Sequence, residues 1–335
     1  MKKSFLFAVP ALVCVAGAFV VPGETVAFHV APKTKLSKTF SSSMKLESKH
    51  ISVDVDGEDQ SDAVTGMHVT TEDTSEIEIV DDYASVEGGR PTKFTREFTK
   101  LGGKNSQAVT FPGADAADEE PAETNERKSA LEGKHVLFTW AEDDSEYTRA
   151  WGGEDKGDAE LFEHARADMD CLALLPTKTV ADGDAWDVDA KLMNTILAPG
   201  GDLKLRSGDA DEGVGELDFE RALEENLTGK VRATFKGVRD EGGVRVAVIE
   251  FTADLEAKGE LDADGDQQSV TSQLKLTGTL LWNQKAGHFH TLKLEGALAA
   301  LYTSKATVDG DDGAAHVETT IAFEGEIAIE ASAKE

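Results

Sequence analysis

Apolar and polar residues alternate through much of this chain. Ile51, Val53 and Val55 occupy every second position and run into Asp56-Gly57, a strand feeding a turn. Phe40, Met44 and Leu46 precede them. Ile77, Ile79, Tyr83 and Val86 follow, closed by Gly88-Gly89-Arg90-Pro91, and Phe94, Arg96 and Phe98 close at Gly102-Gly103. Successive side chains of a strand point to opposite faces, so this spacing predicts a sheet with one oily and one wet side. Residues 19–113 read as an N-terminal antiparallel β region. Val136 to Trp140 and Tyr147 to Trp151, around a turn at Glu142 to Ser145, predict a hairpin.

After Gly152-Gly153 the period changes. Leu161, Ala165, Met169 and Leu172 fall on one helical face, with Asp158 placed as an N-cap and Pro176 as a stop, which predicts a helix. The stretch LLPTKTVADGDAW then leads through an Asp-Gly turn to Trp186 at a sheet edge. Asp189 to Leu197, stopped by Pro199-Gly200-Gly201, and Asp218 to Leu227, stopped by Gly229, predict two further short helices.

Five extended runs fill the C-terminal part: Val231 to Val238, Val244 to Leu261, Gln268 to Trp282, His288 to Tyr302 and His316 to Ala331. Within them Gly259, Gly278, Gly296 and Gly325 each take the apolar phase, where a side chain would point inward. A mid-strand glycine weakens a sheet unless the backbone bends there or another element approaches closely. The series predicts a long meander curved around its contents. Leu276, Gly278, Leu280, Trp282, Leu294, Gly296 and Leu298 are the candidate lining of a site for a hydrophobic ligand.

The expected fold class is therefore α+β, mostly antiparallel β: a half-barrel or open barrel packed on two or three short helices. Residues 114–130 lack periodicity and are rich in acids and alanine, so they read as a loop or linker. Residues 131–335 hold the hairpin, the helices and the meander, sharing one core with the N-terminal region.

Net charge is −30, from 34 Lys plus Arg against 64 Asp plus Glu. Such a surface repels phosphate backbones and anionic lipid, which argues against nucleic acid as a partner. Lys2-Lys3, the apolar run Phe5 to Val15 and Ala16-Gly17-Ala18 match a signal peptide cleaved after Ala18, with an uncleaved anchor as the alternative. Ala18-Phe19 and Ala27-Phe28, before Lys33, Lys35 and Lys38, also resemble a two-part algal plastid presequence. Export to the periplasm, the envelope or the medium is expected, with no transmembrane segment in the mature chain. Removal of the signal leaves one thiol, Cys171, among Met169, Leu172, Leu174 and Leu175, which reads as buried and inert.

Candidate chemistry is sparse. His288 and His290 stand two apart on a predicted strand, the start of a metal site, with His316 opening the next strand as a possible third ligand. They would carry a metal-dependent hydrolase as the alternative function. Asp-rich turns at Asp54 to Asp59, Asp182 to Asp184, Asp262 to Asp266 and Asp309 to Gly313 suit β-turns and, as a further alternative, a calcium-stabilised surface protein. The EF-hand pattern fails at Asp262, since Gln267 and Gln273 take its sixth and twelfth positions. No nucleophile elbow, HExxH or phosphate loop occurs, and no cofactor is expected. Asn226-Leu227-Thr228 is a glycosylation sequon for a eukaryotic secretory route.

Leu175, Pro176, Val180, Gly183, Asp184 and Trp186 before a glycine-punctuated meander resemble uncharacterised exported bacterial proteins of the domain-of-unknown-function type. The architecture is also similar to the half-barrels of lipoprotein carriers. The resemblance implies an exported β-rich domain and no activity. A non-catalytic protein binding a hydrophobic small molecule or an envelope protein is the function expected.

Overall fold

The computed structural model describes residues 23–111, 122–207, 226–263, 266–310 and 313–335. The signal segment 1–18, much of the acidic linker and most of the expected helix at 218–227 lie outside these residues.

The fourteen strands are β1 (Lys35–Val55), β2 (Glu58–Asp59), β3 (His68–Glu87), β4 (Arg90–Thr110), β5 (Glu123–Lys128), β6 (His135–Ala141), β7 (Glu146–Trp151), β8 (Ala185–Val188), β9 (Arg206–Ser207), β10 (Thr228–Glu241), β11 (Val244–Ala263), β12 (Asp266–Asn283), β13 (His288–Gly310) and β14 (Gly313–Lys334). They form one sheet in the order β7-β6-β4-β3-β1-β14-β13-β12-β11-β10-β8, with β2 paired to β1 and β5 bridging β4 and β9. All pairings between named strands are antiparallel. The first long strand lies beside the last, from Ser37 opposite Lys334 to Val55 opposite Val317, so both ends of the chain join one sheet. That pairing places the N-terminal strands and the C-terminal meander on a shared core.

The five C-terminal runs are all present and longer than their apolar patterns. Two N-terminal expectations change. The strand expected to close at Gly102-Gly103 continues to Thr110, because β5 covers its outer edge from Gly102 opposite Lys128 to Gln107 opposite Glu123. Residues 123–128 of the acidic linker are thus a sheet element.

The α+β expectation is corrected to a nearly all-β fold. Among the described residues the only α-helical stretch is one turn, Asn194–Leu197, continuing a 3-10 turn at Ala190–Met193. This matches the short element expected at Asp189 to Leu197, and Asp189 caps it by accepting the Lys191 N–H. The stretch expected as the clearest helix is not one. Asp158 caps as anticipated, accepting the Glu160 N–H, but only 3-10 turns form, at Ala159–Phe162 and Leu172–Leu174.

The physical reason lies in the carbonyls. A helix would need those of Ala165, Arg166 and Ala167 for its own ladder, yet they accept from Arg149 and Arg96 on the sheet. Ala165, Ala167 and Met169 are buried in alternation with the less buried Arg166 and Asp168, the period of an extended pass. Tertiary hydrogen bonds have overridden a weak helical pattern.

This irregular stretch, residues 152–184, runs between the two edge strands, β7 and β8. One end is held by Arg149 and Arg96, and the other joins the far edge, where β8 pairs with β10. The sheet therefore curls around the stretch. Phe162, Met169, Leu174, Met193, Ile196 and Leu197 are buried in the same apolar cluster as Phe94, Phe235 and Leu294.

Three of the four mid-strand glycines form a diagonal across this curl. Gly278 faces Leu294, two residues short of Gly296, and Gly296 faces Ile327, two residues past Gly325. A Cβ at Gly296 would collide with the Lys275 carbonyl oxygen and reach Leu276 Cα at 2.9 Å. One at Gly325 would collide with the Lys45 carbonyl oxygen. The neighbouring backbone lies over these positions, so the glycines form a crease along which the sheet coils.

Candidate functional site

Charged side chains interrupt the oily face where it meets the irregular stretch. Lys38 on β1 is in phase with Leu36 and Phe40. Asp81 on β3 is in phase with Ile79 and Tyr83, and Arg96 on β4 with Phe94 and Phe98; all are buried. Adjacent strands β1, β3 and β4 bring these three charges together, and Asp170 descends on them from the irregular stretch.

The geometry is closed on itself. Arg96 grips Asp81 with two parallel bonds, Nε to Oδ1 at 2.8 Å and Nη2 to Oδ2 at 2.9 Å. Its Nη1 and Nη2 also donate to the carbonyls of Arg166 (2.8 Å) and Ala167 (2.9 Å). Lys38 Nζ donates to Asp81 Oδ2 and to the Tyr83 hydroxyl, both at 2.7 Å, and lies 2.6 Å from Asp170 Oδ1. Tyr83 donates to Asp170 Oδ2 at 2.9 Å. Phe94 and Phe138 lie stacked beneath the Arg96 guanidinium, with ring centroids 4.9 Å apart.

Two cations face two carboxylates in a dry setting, and the ionisations follow. Burial alone would raise Asp81, but Arg96 and Lys38 outweigh it and hold the carboxyl below the usual range. Burial, reinforced by Asp170 and Asp81, pushes Tyr83 well up, so it is a neutral donor. Asp168, two residues before Asp170, is raised to about 6 by burial and then by the Asp170 charge. Burial, with Asp168 and Asp170, also pushes the Cys171 thiol well up. Cys171 is thus buried and poorly ionised, as its apolar neighbours suggested.

The sequence pattern did not single this cluster out, although its signal was present: Lys, Asp and Arg each took the apolar phase of a strand.

The residues proposed from sequence are placed differently. Leu276, Leu280, Trp282, Leu294 and Leu298 do share the oily face and are 0–2% exposed. The room over Gly278 is taken by Phe251, whose ring would collide with a Cβ there. Gly296 is covered by Leu276 and its backbone. The chain's own side chains fill the candidate lining. An open depression of about 360 Å³ lies elsewhere on the surface, lined by Asp158, Glu160, Leu161, Glu163, Lys204 and Arg206.

His288 is buried, its Nδ1–H donates to the Phe289 carbonyl at 2.6 Å, and burial pushes it below the usual imidazole range. A bulge at His290 interrupts the alternation, since Phe289 faces Trp282 while Thr291 faces Leu281. His316 faces Thr307, seventeen residues beyond His290 and about 55 Å of strand away, so it joins neither. Among the described residues no three His, Cys, Asp or Glu side chains gather as a metal site requires.

Neither a family model nor a curated protein matches the chain. Among solved structures, the β domain of the Bordetella autotransporter BrkA is similar over 88% of this chain and 98% of its own, at 13% identity and a TM-score of 0.16. The outer membrane protease OmpT of Escherichia coli is similar over 92% and 99%, at 8% identity and a TM-score of 0.14. At such scores the likeness supports neither a shared fold nor a location.

The faces of the sheet speak independently. A membrane-spanning barrel turns an apolar band outward. Here the outward positions carry cross-strand ion pairs such as Lys45–Glu72 at 2.8 Å, Lys293–Glu330 at 2.9 Å and Lys305–Glu318 at 3.2 Å. Most of the apolar side chains are buried in the inner cluster, with Val246, Val248 and Leu281 in a small cluster of their own and Leu301 and Val308 exposed. No helix among the described residues is long and apolar enough to cross a membrane.

Proposed function

We propose that the chain is a non-catalytic exported protein of the periplasm or cell envelope, a curved-sheet domain whose client is another envelope protein. The observation that carries this reading is the filling of the oily face by the chain itself. Phe251 occupies the space over Gly278, and the charges meeting on that face neutralise one another. A small hydrophobic molecule, the other client expected from the sequence, would have to displace that packing. The acidic surface favours a partner presenting Lys and Arg, with affinity that falls as salt rises.

Native mass spectrometry and elemental analysis of protein from its own host provide the test, with cell fractionation alongside. The expected result is a clean mass, less than about a tenth of an equivalent of transition metal, and recovery from the envelope fraction. Co-purifying apolar mass would replace the protein client with a hydrophobic ligand, a stoichiometric metal would revive the His288 and His290 hydrolase, and cytoplasmic recovery of the uncleaved chain would remove export.

A further inference from the structure

Lys38 is the one buried lysine among the described residues. Its Nζ has three close neighbours. Asp81 Oδ2 and the Tyr83 hydroxyl accept from it at 2.7 Å, and Asp170 Oδ1 lies 2.6 Å away without the angles of a hydrogen bond. Arg96 neutralises Asp81 by itself, through two parallel bonds. That leaves a primary amine and a carboxyl pressed together, with side chains 0% and 3% exposed. Burial takes away the hydration that favours the charged forms, and fixed contact supplies the proximity that a bimolecular condensation lacks.

We propose that Lys38 and Asp170 condense to an intramolecular amide that ties the irregular stretch to β1. A bond forms between Nζ and Cγ, the bond from Cγ to Oδ1 breaks, and one water leaves; no oxidant or co-reactant is needed. Asp81 Oδ2 takes a proton from Nζ, and the freed lone pair attacks Cγ. The Tyr83 hydroxyl donates to Oδ2 at 2.9 Å, where negative charge develops as the carbonyl opens. Once bonded, Nζ gives up a second proton and the amide keeps the third. The two released protons end on Oδ1, which departs as water. Tyr83 stands on their route, its hydroxyl 3.5 Å from Asp81 Oδ2 and 3.0 Å from Asp170 Oδ1. The reaction removes one positive and one negative charge, so the Arg96–Asp81 pair stays balanced in its dry setting. It runs once per chain, so a base restrained by Arg96 suffices.

The fold gives such a bond work to do. The stretch is fastened to the sheet by Arg96 and Arg149 acting on the carbonyls of Ala165, Arg166 and Ala167, not by a strand ladder. Cys171, the residue after Asp170, is a free thiol, so no disulfide fastens it either. An amide from β1 to Asp170 closes a long loop of the chain and restricts the unfolded state.

Mass spectrometry of the denatured full chain, with a tryptic map, tests this. Most of the protein should be lighter than its sequence by one water. The map should contain a branched peptide in which residues 36–45, uncut after Lys38, are joined to residues 167–178. Succinimide formation at Asp-Gly steps such as Asp56-Gly57 and Asp182-Gly183 also loses water, but it leaves Lys38 open to trypsin. Lys38→Arg keeps the cation, removes the attacking amine and should have the full sequence mass. Should that variant misfold, the wild-type map decides alone. Folded wild-type protein that trypsin cuts after Lys38, with residues 167–178 recovered unbranched, would overturn the proposal, as would a branch joining Lys38 to Asp81.

Discussion

The ring of Phe251 on β11 lies where the Cβ of Gly278 on β12 would stand, directly opposite it in the register. The aromatic replaces the missing side chain, so glycine and phenylalanine act as one unit. Gly278→Ala should destabilise by about 1–3 kcal/mol through overpacking. Phe251→Leu in the same chain should recover part of that loss. At Gly296 the obstruction is the β12 backbone, so no side-chain change should rescue Gly296→Ala. Urea denaturation midpoints of the singles and the double mutant measure the coupling.

Removing one charge from the buried seam should cost more than any surface ion pair. Lys38→Met leaves Asp81 with Arg96 but strips Asp170 of its cation in a dry setting, for an expected loss of about 3–5 kcal/mol. Lys38→Met with Asp170→Leu should lose less than the sum of the two single changes, because neither charge is then stranded. Lys293→Met, at an exposed pair, should change stability by less than about 1 kcal/mol. Equal losses at Lys38 and Lys293 would show that the seam does not hold the fold.

The strands were legible because their oily and wet positions alternate, and the turns because Asp and Gly close them. The seam was partly legible. Lys38 between Leu36 and Phe40, Asp81 between Ile79 and Tyr83, and Arg96 between Phe94 and Phe98 all break the apolar phase, and a buried charge needs a partner. Which partner depends on the registers of β1, β3 and β4 and on Asp170 being brought to them by the irregular stretch beyond β7. The helical spacing from Leu161 to Leu172 misleads for a similar reason. The spacing is local, but the carbonyls there are taken by Arg96 and Arg149 on distant strands. The glycine crease was legible as bending; its filling by Phe251 was not, since that required the β11–β12 register.

Stability should peak on the acidic side of neutrality. Asp81, Asp155 and Asp202 are held below the usual carboxylate range. For Asp81 and Asp202 burial opposes the shift, and Arg96 with Lys38, or Lys204, outweighs it; for Asp155 the hydrogen bond from His135 leads. The unfolded chain binds those protons more readily, so their contribution is present above the unfolded carboxylate value and lost as the pH falls through the folded one. Asp168, shifted the other way, costs stability as the pH rises from about 4 to about 6. Together they place the optimum at about pH 4, where the first gain is nearly complete and the Asp168 loss begins. Denaturant midpoints from pH 3 to pH 8 should rise and then fall, and Asp168→Asn should remove the fall. A midpoint that climbs steadily to pH 8 would contradict this.

Calcium should stabilise the protein no more than magnesium does. A carboxylate oxygen can serve a turn or a cation, and the first acidic turn has committed one oxygen at each of three carboxylates. Asp54 Oδ1 accepts the Gly57 N–H at 2.7 Å, Asp59 Oδ1 accepts that of Ser61 at 2.9 Å, and Asp56 Oδ1 accepts that of His316 at 2.9 Å, which ties the turn to β14. Asp184 and Asp240 cap their own turns in the same way, at 2.8 and 2.9 Å. An ion bridging these carboxylates would compete with N–H groups that need an acceptor. Melting temperatures in calcium and magnesium at matched ionic strength should therefore coincide. Asp54→Ala should lower the melting temperature equally in both, and a rise specific to calcium and abolished by Asp54→Ala would show instead that the turn is a binding loop.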